Sequence, residues 1–236
     1  IKHGYPPGVE DQRGLFKKIF DDLIGRNEDL RRDDATFFRG TTSIQAADKD
    51  GWVVSVTPSG GWVPAVVAGE TGVGLSQRMQ SFVLDADQNP YNVLEPGKRP
   101  RVTLTPGMAL KDGKPFLSFA VQGGDAQDQM LLQFFLNIVE FGMNVQQAAE
   151  ADNFLSYQFH ESFGQHVKEP GRLGVNESVN EYTRDQLTRM GYWVEVGFCG
   201  GYKNTSGPIN AIYFDQESGA MHGGSSNHGD DYGIAW

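Results

Sequence analysis

Two predicted β-hairpins constrain the fold of this 236-residue chain more than any other feature. Residues 42–47 and 52–57 are rich in β-forming residues, and the sequence Asp-Lys-Asp-Gly at 48–51 supplies a turn with positive φ between them. A second hairpin is predicted over 108–121, with Asp-Gly at 112–113 as its turn. Two hairpins separated along the chain indicate antiparallel sheets.

Helices are predicted between the strand pairs rather than after each strand. Residues 127–141 carry apolar side chains on almost all sides, which predicts a helix buried all round. The remaining elements are two shorter helices at 145–151 and 179–190 and two strands at 192–198 and 208–214, with 219–223 as a candidate third strand. Because there is no βαβ alternation, the pattern favours antiparallel sheets covered by helices.

Composition excludes several classes of partner. The net charge of −10 argues against nucleic acid or an anionic membrane as a partner. A single cysteine, Cys199, excludes an internal disulfide and a cysteine-cluster metal site. His160 and His166 lie six positions apart, which is not a recognised ligand spacing. We therefore predict no metal and no cofactor.

The charge distribution changes sharply at residue 40. Residues 1–40 contain eight basic and eight acidic side chains, so the whole net charge of −10 lies in residues 41–236. An amphipathic helix is predicted over 13–24. Because the chain begins at Ile1 rather than Met, we expect it to be a fragment or a processed product.

The junction between Gly40 and Thr41 has the composition of a self-cleavage site. A hydroxyl on Thr41 can attack the Gly40 carbonyl, which no side chain shields. Cleavage would give Thr41 a free α-amine, so that one residue holds both nucleophile and base. The alternative is an ordinary start of a strand.

Four further residues are candidates for the same site. Thr57 and Ser59 lie at the far end of the strand predicted to pair with 42–47, so either hydroxyl could lie next to Thr41. Gly123 and Gly124 separate a strand from a helix, where exposed backbone N–H groups can form an oxyanion hole. The alternative for this pair is a turn that needs positive φ. Asp125 is interpreted as a helix N-cap.

These motifs, in this order, resemble those of the γ-glutamyltranspeptidase family of N-terminal nucleophile hydrolases. The resemblance extends over nearly all of residues 41–236. It rests on these segments: Thr-Thr at 41–42, Asp-Lys-Asp-Gly at 48–51, Val-Ser-Val-Thr at 54–57, Val-Ala-Gly-Glu-Thr-Gly at 67–72, the stretch 96–106, Lys-Asp-Gly-Lys at 111–114, Gln-Gly-Gly at 122–124 and 141–148.

The resemblance implies a fold, a precursor and roles for particular residues. It implies an α+β fold, a four-layer αββα sandwich of two antiparallel sheets, completed by a large subunit from the same precursor. Residues 1–40 would be the C-terminal tail of that subunit, and 41–236 the catalytic small subunit. Thr41 would be the nucleophile, Ser59 the hydroxyl that contacts it, and Gly123 with Gly124 the oxyanion hole.

The substrate pocket departs from the family pattern. The family's γ-glutamyl enzymes hold the substrate α-amine with Asn, Gln and Asp, where this chain has Gly61, Arg78 and Ser81. A Ser-Ser pair that binds the α-carboxylate is replaced by Val102 and Thr103. Arg78 would repel a substrate ammonium and suits a carboxylate or another acceptor. Arg78, Ser81 and Thr103 are therefore predicted substrate-binding residues.

We predict an autoprocessed threonine amidohydrolase or acyltransferase whose acyl group is not γ-glutamyl. Its predicted partners are the large subunit and a small amide substrate, and a dimer of heterodimers is compatible with the resemblance. One alternative is a genuine γ-glutamyl hydrolase or transpeptidase. Another is an unprocessed relative with a binding or structural role. The sequence does not distinguish a cytoplasmic from a periplasmic location.

Overall fold

The structure is a computed structural model that describes six ranges of the chain: 41–60, 67–164, 166–199, 202–203, 208–227 and 231–235. The predicted helix at 13–24, and Gly61 of the substrate pocket, lie outside the described residues. The chain divides into two compact units. The smaller one includes Gly60–Gln77, and the larger consists of Thr41–Ser59 and Arg78–Trp236.

The first predicted hairpin is confirmed. Strands β1 (Ile44–Ala47) and β2 (Val53–Val56) pair antiparallel. The side chain of Asp48 closes the turn by accepting the N–H groups of residues 50 and 52 at 2.9 and 3.0 Å. Gly51 has φ +92°, a value that side-chain-bearing residues rarely adopt. The turn chemistry therefore sets the register of this hairpin.

The second predicted hairpin is also confirmed, and it forms half of the main sheet. Strands β3 (Gly107–Lys111) and β4 (Lys114–Val121) are joined by Asp112 and Gly113, whose φ angles are +52° and +76°. The main sheet has four antiparallel strands in the order β11-β10-β4-β3. Its other two strands come from the C-terminal part of the chain, at Ile209–Phe214 (β10) and Met221–Ser225 (β11).

The β1–β2 hairpin packs on one face of the main sheet. The hydroxyl of Ser118 on β4 donates to Gln45 on β1 at 2.6 Å. The side-chain amide of Asn210 on β10 donates to the carbonyl and hydroxyl oxygens of Ser43, at 3.2 and 2.8 Å. Side chains alternate along a strand, so the neighbours of Ser118 and Asn210 point to the opposite face.

That opposite face is covered by helices. Helices α1 (Gln127–Val139) and α2 (Val145–Glu150) pack there, and their apolar side chains join those of β4 and β10 in one core. The largest buried core side chains are Leu117, Met130, Phe134 and Ile209. Hairpin, main sheet and helices thus form three successive layers of an α+β sandwich, as expected from the sequence.

Helix α1 is not buried on all sides, contrary to the sequence prediction. Leu132 and Val139 are 59% and 40% exposed, on the side of the helix away from the core. Apolar residues occur on both sides of the helix in the sequence, but the main sheet packs against only one side, so the other side stays exposed. The helix also ends at Val139, two residues earlier than predicted.

The structure also contains a three-stranded sheet, of which only the last strand was predicted from the sequence. Strands β5 (Phe154–Ser156) and β6 (Arg172–Val175) have no strong period-two pattern, and β6 pairs in parallel with β7 (Trp193–Val196). This parallel pair departs from the purely antiparallel expectation. The predicted surface helix follows β6 as α3 (Glu181–Arg189), with no buried residue. A short antiparallel pair, β8 (Phe198–Cys199) and β9 (Tyr202–Lys203), completes the described strands.

Two further findings concern the described residues. In the smaller unit, residues 68–73 form a tight turn in which Gly69 and Gly72 have φ +54° and +70°. Across the described ranges, we find no helix both long and apolar enough to span a membrane.

Close packing of β11 on helix α2 gives a stability prediction. A Cβ at Gly224 would lie 2.9 Å from the backbone of Val145, whereas a Cβ at the neighbouring Gly223 would have no heavy atom within 4 Å. We expect Gly224→Ala to lower the free energy of unfolding by about 1–3 kcal/mol, because backbone must move to admit the methyl group. Denaturant unfolding of both variants measures this, and an equal effect of Gly223→Ala would contradict it.

Candidate active site

Thr41 lies beside Ser59 because the first hairpin extends beyond its regular strands. The two residues form an antiparallel bridge, and the N–H of Thr42 donates to the carbonyl of Pro58 at 3.1 Å. Their side-chain oxygens, Thr41 Oγ1 and Ser59 Oγ, are 2.7 Å apart. The pairing of β1 with β2 therefore brings these two hydroxyls, 18 positions apart in sequence, into direct hydrogen-bonding contact.

Arg78 joins this hydroxyl pair from a short 3-10 helix at Arg78–Ser81. Its Nη2 donates to Ser59 Oγ at 2.6 Å, and its Nη1 lies 3.5 Å from Thr103 Oγ1. Thr103 is buried, whereas the neighbouring Val102 is exposed. Four of the predicted site residues, Thr41, Ser59, Arg78 and Thr103, thus form one continuous polar network.

The guanidinium of Arg78 is partly removed from water. It lies over the ring of Phe163, with Cζ 5.1 Å from the ring centroid, an arrangement that favours a cation. Burial lowers the pKa of Arg78 from its ordinary value, and the negative charge of Asp125 opposes that change. Arginine stays protonated under such conditions, so a fixed positive charge lies next to Ser59.

The contact with Arg78 favours one orientation of the two hydroxyls. A guanidinium can only donate, so Ser59 Oγ must accept from it. Ser59 then has its own hydrogen available to donate to Thr41 Oγ1. In that orientation Thr41 Oγ1 accepts from Ser59, and the hydrogen of Thr41 points to another acceptor.

Gly123 and Gly124 form the turn between β4 and a second 3-10 helix, Gly124–Ala126. Their φ angles are +141° and +56°, so a side chain at either position would strain the backbone. A Cβ at Gly124 would lie 3.4 Å from the ring of Phe163, the same ring that supports Arg78. The glycine pair is therefore connected to the Arg78 network through Phe163.

Ser81 lies apart from this network. It shares the 3-10 helix with Arg78, but its side chain is 1% exposed and lines a small cavity together with Asn92, Arg101, His160 and His166. The side-chain amide of Asn92 donates to the carbonyl of Ser81 at 2.5 Å. A substrate-binding role for Ser81 stays a prediction, and its burial argues for a supporting position.

Asp125 does not cap a helix, contrary to the sequence prediction. Ala126 occupies the N-cap position of helix α1, and no side chain caps that helix. The carboxylate of Asp125 instead accepts from Arg101 and from Ser162, on the segment that carries Phe163. Ser162 and Phe163 were not predicted from the sequence, because their role depends on a contact across 37 positions.

His160 and His166 do not form a metal centre. The Nδ1 atoms of both rings contact backbone carbonyls, those of His166 and Glu161 respectively, at 2.6 and 2.8 Å. Among the residues that the structure describes, no group of three or more His, Cys, Asp or Glu side chains is arranged to hold a metal ion.

The layered α+β fold is that of the N-terminal nucleophile hydrolases. A model of the γ-glutamyltranspeptidase family matches residues 21–236, and the chain belongs to that family.

Two relatives illustrate the range of names within the family. The glutathione hydrolase-like YwrD proenzyme of Bacillus subtilis is 34% identical over 166 residues, which are 70% of this chain and 30% of that protein. The acylase ACY 1 proenzyme of Pseudomonas sp. SE83 is 28% identical over 181 residues, covering 75% of this chain and 29% of the relative. The chain thus spans less than a third of these curated relatives.

Solved structures show the same fold. The cephalosporin acylase from Bacillus halodurans superposes with a TM-score of 0.68 at 28% identity, over 82% of this chain and 34% of that chain. The γ-glutamyltranspeptidase from Pseudomonas nitroreducens gives a TM-score of 0.65 at 24% identity, over 83% and 99% respectively. The second match, at this identity, shows the fold alone.

Proposed function

We propose that this chain carries the catalytic part of a self-cleaving threonine amidohydrolase or acyltransferase whose acyl group is not γ-glutamyl. The observation that carries the proposal is the polar network Thr41–Ser59–Arg78, in which hydrogen bonds of 2.7 and 2.6 Å join the candidate nucleophile to a fixed cation. Membership of a family that includes proteins named glutathione hydrolase and acylase supports the reaction class.

The proposed reaction starts with cleavage of the peptide bond before Thr41. Thr41 Oγ1 attacks the Gly40 carbonyl, and the peptide C–N bond breaks as the departing Thr41 nitrogen takes up the hydroxyl proton, which leaves an ester and a free α-amine. Water then hydrolyses the ester to give the Gly40 carboxylate and the Thr41 hydroxyl. In the mature site that amine takes the hydroxyl proton as Oγ1 attacks the substrate amide carbonyl. Ser59 keeps the nucleophilic oxygen oriented, and the amine then protonates the leaving nitrogen. Water or an acceptor amine resolves the acyl-enzyme.

The Gly123-Gly124 turn supplies the oxyanion donors in this proposal. Backbone N–H groups at a strand-to-helix turn can stabilise the negative charge that develops on a carbonyl oxygen. Only glycine adopts φ +141° and +56° without strain, so the turn keeps its N–H groups in place at no steric cost. The connection through Phe163 to Arg78 supports a shared site.

A large subunit from the same precursor completes the proposed enzyme. The outer face of the β1–β2 hairpin exposes Ile44, Val54 and Val56, three apolar side chains in strand alternation. Helices of a fourth layer would cover that face in a four-layer sandwich. The family match begins at residue 21, so family sequence lies on both sides of the Gly40–Thr41 junction, as a precursor requires.

Arg78 determines the proposed acyl preference. Its guanidinium already donates to the protein hydroxyl of Ser59 and places a positive charge beside the nucleophile. A γ-glutamyl group carries an α-ammonium, which this charge would repel. An acyl group with a carboxylate and no ammonium avoids the repulsion.

We therefore expect glutaryl p-nitroanilide to be hydrolysed at least about fivefold more efficiently, as kcat/KM, than γ-glutamyl p-nitroanilide, since one like-charge contact is worth about 1 kcal/mol or more. The two substrates differ only in the α-ammonium. Release of p-nitroaniline by the full-length precursor measures both.

Each alternative has its own outcome in this experiment. Faster turnover of the γ-glutamyl substrate would show a genuine γ-glutamyl hydrolase or transpeptidase and overturn the role given to Arg78. A precursor that stays uncut at Gly40–Thr41 and hydrolyses neither anilide would overturn the enzyme proposal and leave a binding or structural role.

A further inference from the structure

The carboxylate of Asp125 attaches a second segment of the chain to the Gly123-Gly124 turn. Its Oδ2 accepts the N–H of Ser162 at 2.7 Å, and its Oδ1 accepts the Ser162 hydroxyl. Ser162 is 1% exposed. Because both carboxylate oxygens bind the same residue, the attachment fixes direction as well as distance.

The residue after Ser162 contacts both the turn and the cation. Phe163 is buried, and its ring lies under the Arg78 guanidinium and against the position that a Gly124 side chain would occupy. A shift of the segment at Ser162 would therefore move the ring, and with it the packing of Arg78 and of the glycine turn.

Arg101 also contacts Asp125, through an ion pair. Its Nη2 donates to Asp125 Oδ1 at 3.1 Å, but the two side chains are 42% and 31% exposed. Ion pairs exposed to this extent contribute little to stability. The contacts with Ser162 are thus the ones that hold the arrangement.

We propose that Asp125 is a positioning residue that holds the Gly123-Gly124 turn and the Phe163 ring in one arrangement against Arg78. It thereby sets the oxyanion donors relative to the Thr41–Ser59 hydroxyl pair. Asp125 acts through Ser162 and Phe163 rather than on the reacting atoms. The catalytic consequence rests on the proposed function, whereas the attachment itself does not.

The catalytic test uses Asp125→Asn and Asp125→Ala in the full-length precursor, with whichever of the two anilides the wild type hydrolyses faster. We expect kcat to fall about tenfold for Asn and about a hundredfold for Ala with KM nearly unchanged, because small misplacements of catalytic groups are costly in rate. Asp128→Asn, which changes an exposed carboxylate in the first turn of helix α1, is the matched control expected to retain the wild-type rate.

A double-mutant cycle distinguishes positioning from general damage. Asp125→Asn and Phe163→Leu should have non-additive effects on kcat if the carboxylate acts through the ring. Fully additive effects, a wild-type kcat for Asp125→Ala, or a change confined to KM would each overturn the catalytic role.

Native-state hydrogen exchange tests the attachment without any substrate. We expect faster amide exchange in residues 122–126 and 160–164 of Asp125→Ala, with exchange in helix α3 unchanged. Unchanged exchange in both segments would overturn the proposal. A wild type that is uncut and inactive would refute the proposed function alone, because the exchange experiment would still decide whether Asp125 holds the two segments.

Discussion

Thr41→Ala is expected to leave the full-length precursor uncut and to abolish amide hydrolysis. In the proposed mechanism, the substitution removes the oxygen that attacks the Gly40 carbonyl and, later, the substrate carbonyl. Removing the nucleophile of a hydrolase lowers kcat by a factor of about a thousand to a million. Intact-mass measurement and N-terminal sequencing of purified precursor give the extent of cleavage, and p-nitroaniline release gives the rate.

The neighbouring threonine provides the matched control. Thr42 is exposed and contributes its backbone N–H to the bridge with Pro58, so Thr42→Ala changes a hydroxyl without changing the hairpin. We expect normal cleavage for that variant, and slower cleavage for Thr41→Ser, which keeps the oxygen but loses the methyl group. Cleavage of Thr41→Ala at the same bond would exclude Thr41 as the nucleophile.

The second large effect is expected for Ser59→Ala. This variant loses the hydroxyl that contacts Thr41 Oγ1 and, at the same time, the acceptor for Arg78 Nη2. We expect kcat to fall about a hundredfold, the usual scale for loss of one well-placed hydrogen-bonding group in a site. Steady-state kinetics on the anilide that the wild type hydrolyses faster measures the change.

Ser59→Thr is the conservative control, because it restores the hydroxyl on a β-branched side chain that suits a strand. We expect it to recover most of the lost rate. Thermal unfolding of both variants separates catalysis from stability, since Ser59→Ala also leaves a half-buried cation with one partner fewer. Equal loss of rate in Ser59→Thr and Ser59→Ala would show that the hydroxyl itself is not required.

The parts of the fold that the sequence predicted are those specified by local chemistry. Asp48 and Gly51 close the first turn, and Asp112 with Gly113 closes the second, so each hairpin is encoded within about fifteen residues. The parallel pairing of β6 with β7 has no comparable local signal, because parallel strands are joined by a crossover rather than a turn. Exposure of one side of α1 depends on which layers are present, which the helix's own periodicity does not encode.

The candidate site likewise contains residues that local sequence predicts and residues whose roles depend on long-range contacts. Thr41 and Ser59 follow from hairpin register, because strand pairing brings the two ends of the hairpin together. The role of Asp125 does not follow, because its partner Ser162 comes from a loop that is distant in sequence. A short polar residue after a Gly-Gly turn has the same local signature whether it caps a helix or attaches a loop.

The contact between Asn210 and Ser43 has a consequence for biosynthesis. It joins positions 167 residues apart, so the face on which the β1–β2 hairpin packs is made from a strand that the ribosome synthesises near the end of this sequence. In a nascent chain, the segment next to Thr41 has no β10 to pack against until that strand has emerged. Translation order alone thus delays assembly of the surroundings of Thr41. Under the proposed mechanism, this delay would protect the precursor from premature cutting while it is still being made.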